Sequence, residues 1–303
     1  MATLRNLGTN EIRPVPARML VGRGSVCSLR LAELHVSGEH ASVVWTGSLW
    51  EIRDLGSRNG TFVDGERVAP NQPKTLRAGA KLGFGVPEAQ WVVVDAGPPS
   101  ALAEAIGTEE IRTAHGGILA LPDEAHPEAV IYADRRGAWV MESDEGGVHT
   151  VRDQEVVQAG GRPWRIRVPG SQEGTATVEA RPSIDTIALR FAVSLDEEHV
   201  EVTVLHRGAE IRLEPREHGY ALLTLARNRL EDRAHPPSEQ GWIDRDTLLR
   251  MLGLDSNALN VAIYRARGQL SASGVEGAAG LVEVRRGQRR IGLEPERLEV
   301  VRL

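Results

Sequence analysis

Three short, turn-prone stretches constrain this chain more than anything else in it. They are Val21-Gly22-Arg23, Val36-Ser37-Gly38-Glu39-His40 and Leu55-Gly56-Ser57-Arg58-Asn59-Gly60-Thr61. Strand-length apolar segments separate them, so a β-sandwich would gather all three at one end. Loops held by a rigid scaffold are where binding residues concentrate. The flanking sequence supports strands. Val43 to Trp45 and Leu49 to Arg53 bracket Thr46-Gly47-Ser48, and Thr61 to Val63 and Glu66 to Val68 bracket Asp64-Gly65. Short apolar runs around such turns predict hairpins. Met1 to Glu11 reads as an edge strand or arm. Ala80 to Phe84 and Trp91 to Val94 close the set, and Asp95 to Ser100 punctuates the chain as a linker.

The ordered set Gly-Arg, Ser-x-x-His and Ser-Arg-Asn-Gly-Thr resembles the forkhead-associated (FHA) domain, an all-β sandwich that recognises phosphothreonine peptides. The resemblance spans residues 1–95. It implies that Arg23, Ser37, Arg58 and Asn59 bind the phosphopeptide, while Gly22, His40 and Gly60 shape the loops. It also implies a preference for threonine over serine. The residue chemistry fits. An arginine fork matches phosphate oxygens and stays charged, a serine hydroxyl can donate, and one Asn amide both donates and accepts. The bland reading of Arg23 and Arg58 is a pair of solvated surface arginines. Gly38 departs from the family pattern, which often has Asn or Arg after the serine, and this removes one expected contact.

At 303 residues the chain has room for two or three domains. The 41% hydrophobic content suffices for packed cores, and no apolar run approaches the ~20 residues that span a bilayer. No secretory signal is visible, and Cys27 is the single cysteine, so no internal disulfide forms. A cytoplasmic protein is expected. Lysine occurs only at Lys74 and Lys81, a bias that fits a high-GC bacterial source.

Residues 103–169 read as a degenerate second FHA-like β domain. His40-Ala-Ser-Val-Val-Trp and His126-Pro-Glu-Ala-Val-Ile each lead towards a tryptophan, Trp50 and Trp139. Thr61, Asp64, Glu66 and Val68 then match Thr150, Asp153, Glu155 and Val157 at equal offset. Gly146, Gly147 and Val148 replace Ser57, Arg58 and Asn59, so no phosphate binding is expected. An unrelated small β-module is the alternative. A polar stretch from Gly170 to Ser183 reads as a second linker.

Residues 186–303 present three short strands, then a helix from Pro215 to Arg229. Helices from Asp244 to Leu252 and Asn257 to Ala272 follow, and an arginine-tipped hairpin from Leu281 to Ile291. This order resembles the α+β winged helix-turn-helix domain of OmpR-like response regulators, with Leu259 to Leu270 matching its recognition helix. The resemblance implies DNA contacts from Asn260, Val261, Tyr264, Arg265 and Arg267, and from the wing residues Arg285, Arg286, Arg289 and Arg290. One observation opposes DNA. Ser183 to Leu303 holds 17 Arg against 19 Asp plus Glu, whereas dedicated DNA binders usually show a basic footprint.

Phosphate-loop, His-Glu-x-x-His and Gly-x-Ser-x-Gly motifs are absent, so neither an enzyme nor a cofactor is expected. The expectation is a multidomain regulator that docks on a threonine-phosphorylated partner and binds DNA. The alternative is a phospho-dependent adaptor whose winged helix contacts only proteins.

Overall fold

The computed structural model describes residues 1–143, 147–170, 181–285 and 287–303. They divide into two compact units, Met1–Leu102 with 167–170, and 103–166 with 181–303. Residues 103–166, read from sequence as a domain of their own, thus share one unit with the C-terminal segment. Most of the Gly170–Ser183 linker, Gly146 and Arg286 lie outside the described residues.

The first unit holds β1 (Thr3–Asn6), β2 (Ile12–Pro14), β3 (Arg18–Gly22), β4 (Leu29–Arg30), β5 (Ala41–Trp45), β6 (Trp50–Asp54), β7 (Thr61–Val63), β8 (Glu66–Arg67), β9 (Pro73–Leu76), β10 (Lys81–Phe84) and β11 (Trp91–Asp95). One sheet runs β2-β1-β11-β10-β7-β8 and the other β4-β3-β5-β6-β9. Alternate residues of each strand point to one face. Those of β3, β5 and β6 (Met19, Val21, Ala41, Val43, Trp50, Ile52) meet Leu4, Val63, Leu82, Phe84, Trp91 and Val93 of the other sheet in one core. That is the expected sandwich. The predicted edge arm is a hairpin, β1 with β2.

The middle segment holds β12 (Leu102–Ala105), β13 (Ile111–Thr113), β14 (Ile118–Pro122), β15 (Pro127–Ala133), β16 (Trp139–Ser143), β17 (Val148–Thr150), β18 (Val156–Ala159) and β19 (Arg162–Arg167), all in the second unit except the end residues Leu102 and Arg167. Its sheets run β13-β12-β19-β18 and β14-β15-β16-β17. These repeat the orders β2-β1-β11-β10 and β3-β5-β6-β9. The pairing registers repeat as well. Trp45 opposes Trp50 and Val44 opposes Glu51 in the first unit, as Ala133 opposes Trp139 and Tyr132 opposes Val140 in the second.

Register also corrects the sequence alignment beyond Trp139. Thr150 pairs with Val140 on the strand that occupies the place of β9, so it does not match Thr61 of β7. The hairpin β7-β8 has no counterpart among the described residues. The equal-offset matches of Asp153, Glu155 and Val157 fall with it. The position of His40, before Ala41 opposite Asp54, belongs to Glu128, before Ala129 opposite Ser143, and not to His126.

The C-terminal segment contributes β20 (Ala188–Val193), β21 (Val200–His206), β22 (Ala209–Arg212), α1 (His218–Glu231), β23 (Ile243–Asp244), α2 (Arg245–Leu252), α3 (Ser256–Ala272), β24 (Val282–Arg285), β25 (Gln288–Ile291) and β26 (Leu298–Arg302). Asp244 caps α2 by accepting the Asp246 and Thr247 N–H groups, and Asp255 caps α3 through Ala258 N–H at 2.8 Å. Leu259, Ile263, Ala266 and Leu270 of α3 enter a core shared with α1 and the β20–β21 sheet. Helix α1 starts at His218, later than the proline-led start read from sequence. The chain does not end on the hairpin, because β26 returns to pair parallel with β20. Its length of five residues, with one buried position, left little pattern to read. No helix of the described residues is long and apolar enough to cross a membrane.

Phe191, fully buried on β20, tests this core. Phe191→Ala should lower unfolding free energy by about 3–5 kcal/mol, the usual loss for a buried aromatic. Urea unfolding should show the transition of the second unit moving while that of the first stays in place.

Candidate functional site

The three loops of the first unit are tied by backbone and by two buried polar side chains. Arg23 N–H donates to Ser37 O at 2.9 Å, Gly24 N–H to Gly38 O at 2.8 Å, and His40 N–H to Val21 O at 2.8 Å. Gly22 is required by this approach, since a Cβ there would lie 2.3 Å from the Gly38 carbonyl oxygen. Gly60, at φ +91°, lies beneath the Arg67 guanidinium.

His40 is fully buried and joins the second loop to the third. Its Nδ1 accepts the Ser37 N–H at 3.0 Å, so Nε2 carries the proton and donates to Gly60 O at 3.1 Å. Phe84 meets the ring edge-on at 5.8 Å. Burial pushes its pKa below the ordinary 6.5, against the opposing pull of the Gly60 carbonyl.

Asp54 organises the third loop from below. One carboxylate oxygen accepts the Gly56 and Ser57 N–H groups at 2.9 Å. The other accepts the hydroxyls of Ser57 at 2.6 Å and Thr61 at 2.7 Å. Ser57 Oγ in turn accepts Gly60 N–H at 2.9 Å. Burial alone would raise the Asp54 pKa, but these bonds outweigh it and hold the carboxyl below its usual range. Sequence reasoning missed Asp54 as a buttress. The signal was present as Asp-x-Gly-Ser, a pattern whose carboxylate closes its own turn.

The candidate ligand groups converge on Ser37. Its carbonyl takes the Arg23 N–H, and its Oγ takes the Arg58 N–H at 3.1 Å, leaving the hydroxyl proton to donate. Arg23 is exposed and anchored through Nε to Val36 O at 3.4 Å. Arg58 is exposed. Asn59 is exposed and donates to His35 O at 2.8 Å, which fixes the amide and leaves its oxygen to accept. Such an end offers two exposed arginines on hydrogen-bonded backbone, a hydroxyl donor and an oriented amide to an anionic peptide group.

The residues expected to contact DNA are placed differently. Tyr264 and Arg267 are buried in the second unit, and so is Arg289. Arg267 donates to Glu142 Oε2 at 2.9 Å and Val282 O at 2.6 Å, with its guanidinium 5.1 Å from the Tyr132 ring. Burial, then the Glu124 carboxylate, raises the Tyr264 pKa. Arg289 reaches Gln288 O. Arg290 pairs with Glu283 and stacks on Trp242 at 4.4 Å, and Arg285 stacks on the same ring at 4.3 Å. Asn260 lines a small cavity with Glu128, Glu142 and Arg289. Val261 and exposed Arg265 face an open groove beside Leu252 and Leu254. Of the residues expected to contact DNA, Tyr264, Arg267 and Arg289 are therefore not presented at the surface, and Arg267 and Arg290 are already paired with Glu142 and Glu283.

A histidine whose folded-state pKa lies below its unfolded value binds fewer protons folded than unfolded. Its contribution is full above pH 6.5 and declines as pH falls through the folded-state pKa. Thermal unfolding of wild type and His40→Gln across that range should converge towards acid pH. A difference independent of pH would contradict the neutral, bridging imidazole.

A profile of the FHA domain family matches residues 19–85. FhaB of Mycolicibacterium smegmatis, an FHA domain-containing protein, is 34% identical over 65 residues, which are 22% of this chain and 42% of that protein. FhaB of Mycobacterium tuberculosis is 40% identical over 50 residues, 16% of this chain and 32% of that one. The chain therefore spans less than half the length of these curated relatives. Among solved structures, Mycobacterium tuberculosis EmbR in complex with a low affinity phosphopeptide aligns at 28% identity and TM-score 0.29, over 32% of this chain and 25% of that one. Residues 19–85, with the loops described above, are an FHA domain.

Proposed function

We propose that this chain is a phosphothreonine-dependent docking protein whose first unit captures a threonine-phosphorylated partner. The observation that carries this reading is the convergence on Ser37. The backbones of Arg23 and Arg58 both bond to that one residue, which roots two exposed arginines beside a hydroxyl that can donate. Phosphothreonine brings close to two negative charges and three acceptor oxygens at neutral pH, and two arginines with a hydroxyl match that demand. Asn59 would hold the peptide backbone.

Residues 103–170 are read as a shortened FHA-like module without a phosphate site. By register, Leu121 takes the place of Val21, Glu128 that of His40 and Ser143 that of Asp54, and in sequence Pro122 follows Leu121 as Gly22 follows Val21. Asp123 follows Pro122 as Arg23 follows Gly22. An acid there repels phosphate.

Residues 186–303 are read as a winged helix, supported by the order sheet, α1, α2, α3 and terminal hairpin. With Tyr264, Arg267 and Arg289 buried, the arrangement favours an adaptor over a DNA-bound regulator in this conformation.

Calorimetry with matched peptides tests the docking reading. Wild type should bind one phosphothreonine peptide per chain and discriminate against the unphosphorylated form. Arg23→Ala should lose about 1.5–3 kcal/mol or more of binding, the range for a charge-assisted bond. Equal affinity for both peptide forms would overturn the docking reading, and a stoichiometry of two would overturn the silent second module.

A further inference from the structure

Helix α3 carries two stripes with different partners, one buried throughout and one buried only at its centre, at Tyr264 and Arg267. Leu259, Ile263, Ala266 and Leu270 face the C-terminal core. The stripe Asn257, Asn260, Tyr264, Arg267, Ser271, at spacings of three and four, turns towards the module of residues 103–170. Asn257 donates to Ala125 O at 3.3 Å and Ser271 to Gly116 O at 3.1 Å. Between them Tyr264 and Ala279 join Ile118, Ala120, Val130, Tyr132 and Val140 in one apolar cluster.

The module face in that contact has changed character relative to its counterpart. The register-equivalent positions of the first unit are Arg18, Leu20, Ser42, Val44, Glu51 and Arg53, all partly or fully exposed. In the module the same six are Ile118, Ala120, Val130, Tyr132, Val140 and Glu142, and all are buried. A polar outer face has become an apolar one with a single acid. That acid accepts from Arg267 at 2.9 Å and from the Tyr132 hydroxyl at 3.2 Å. A buried ion pair of this kind adds little stability over an apolar pair of equal volume, so packing alone does not call for an arginine at position 267. A carboxylate held against a guanidinium presents the same acceptor chemistry as a phosphate oxygen.

We propose that this α3 stripe is a duplex-DNA surface which the second module occupies in cis, with Glu142 standing where a DNA phosphate would bind. The proposal rests on the winged-helix reading of residues 186–303. In the closed arrangement Glu142 pairs with Arg267 and Glu124 accepts from the Tyr264 hydroxyl, and moving the module away removes both acids together and leaves Arg267 uncovered.

The test uses the full chain as wild type, Glu142→Gln and Glu142→Ala, with duplex DNA recovered by selection from a random pool. Hydrogen exchange is followed along α1, α3 and residues 118–143. Both variants should raise exchange in α3 while α1 stays protected, and should bind DNA about ten-fold more tightly than wild type, within the usual span of coupling between sites. Affinity should fall with salt, as phosphate contacts require. Saturating DNA should likewise raise exchange at residues 118–143 of the wild type, which covers the case of a variant that fails to fold. Variants that bind DNA no better than wild type, or a DNA complex in which 118–143 stay protected, would overturn the proposal. Phosphopeptide titration of the same samples should be unchanged by Glu142→Gln, which separates failure here from failure of the docking site.

Discussion

A buried carboxylate, Asp54, is the interaction on which the ligand-facing end of the first unit depends. A carboxylate with four donors on two oxygens is nearly saturated. Its bonds reach Gly56, Ser57 and Thr61, so the loop between β6 and β7 has little freedom left. His40 carries that rigidity across to Ser37, and Ser37 passes it to the backbones of Arg23 and Arg58. Preorganisation of this kind lowers the ordering cost on binding an anion. The arginines stay exposed while His40 and Asp54, which hold the loop backbones behind them, are buried, which is how a site can be charged and rigid together.

The second unit shows what the same strand order does without that carboxylate. Ser143 stands at the place of Asp54, and the hairpin β7-β8 has no counterpart among the described residues. The sandwich keeps its register because register follows from alternation of inward apolar residues, which a one-residue slip would turn outward. Leu119, Leu121, Ala129, Ile131 and Met141 preserve that alternation and are buried. The outward face is free to change, and here it has become a contact for α3. Two segments with the same strand order thus differ in what they present, the first its tied loop end and the second its outer face.

Much of the first unit was legible in sequence. Strand alternation, the hairpin turns and the three loop motifs all act over a few residues, and the FHA sandwich at residues 19–85 follows from them. The buttress at Asp54 was less visible, because its role lies in bonds to a turn and to Thr61, seven residues on. In the middle segment the matching tryptophans were readable. Offset counting failed beyond Trp139, since the shorter connection there shifts every later match, and only pairing register exposes such a deletion.

For α3 the division is sharper. Sequence by itself determined that residues near 257–272 form a helix with one apolar face and with Tyr264, Arg265 and Arg267 off that face, because helical period is a local property. It could not determine what those three side chains meet. Tertiary structure decided that Tyr264 and Arg267 are buried against strands more than 120 residues earlier, while Arg265 stays exposed. The physical reason is that an arginine's sequence context is the same whether its partner is water, a phosphate or Glu142. Only folding brings one of those partners within 2.9 Å.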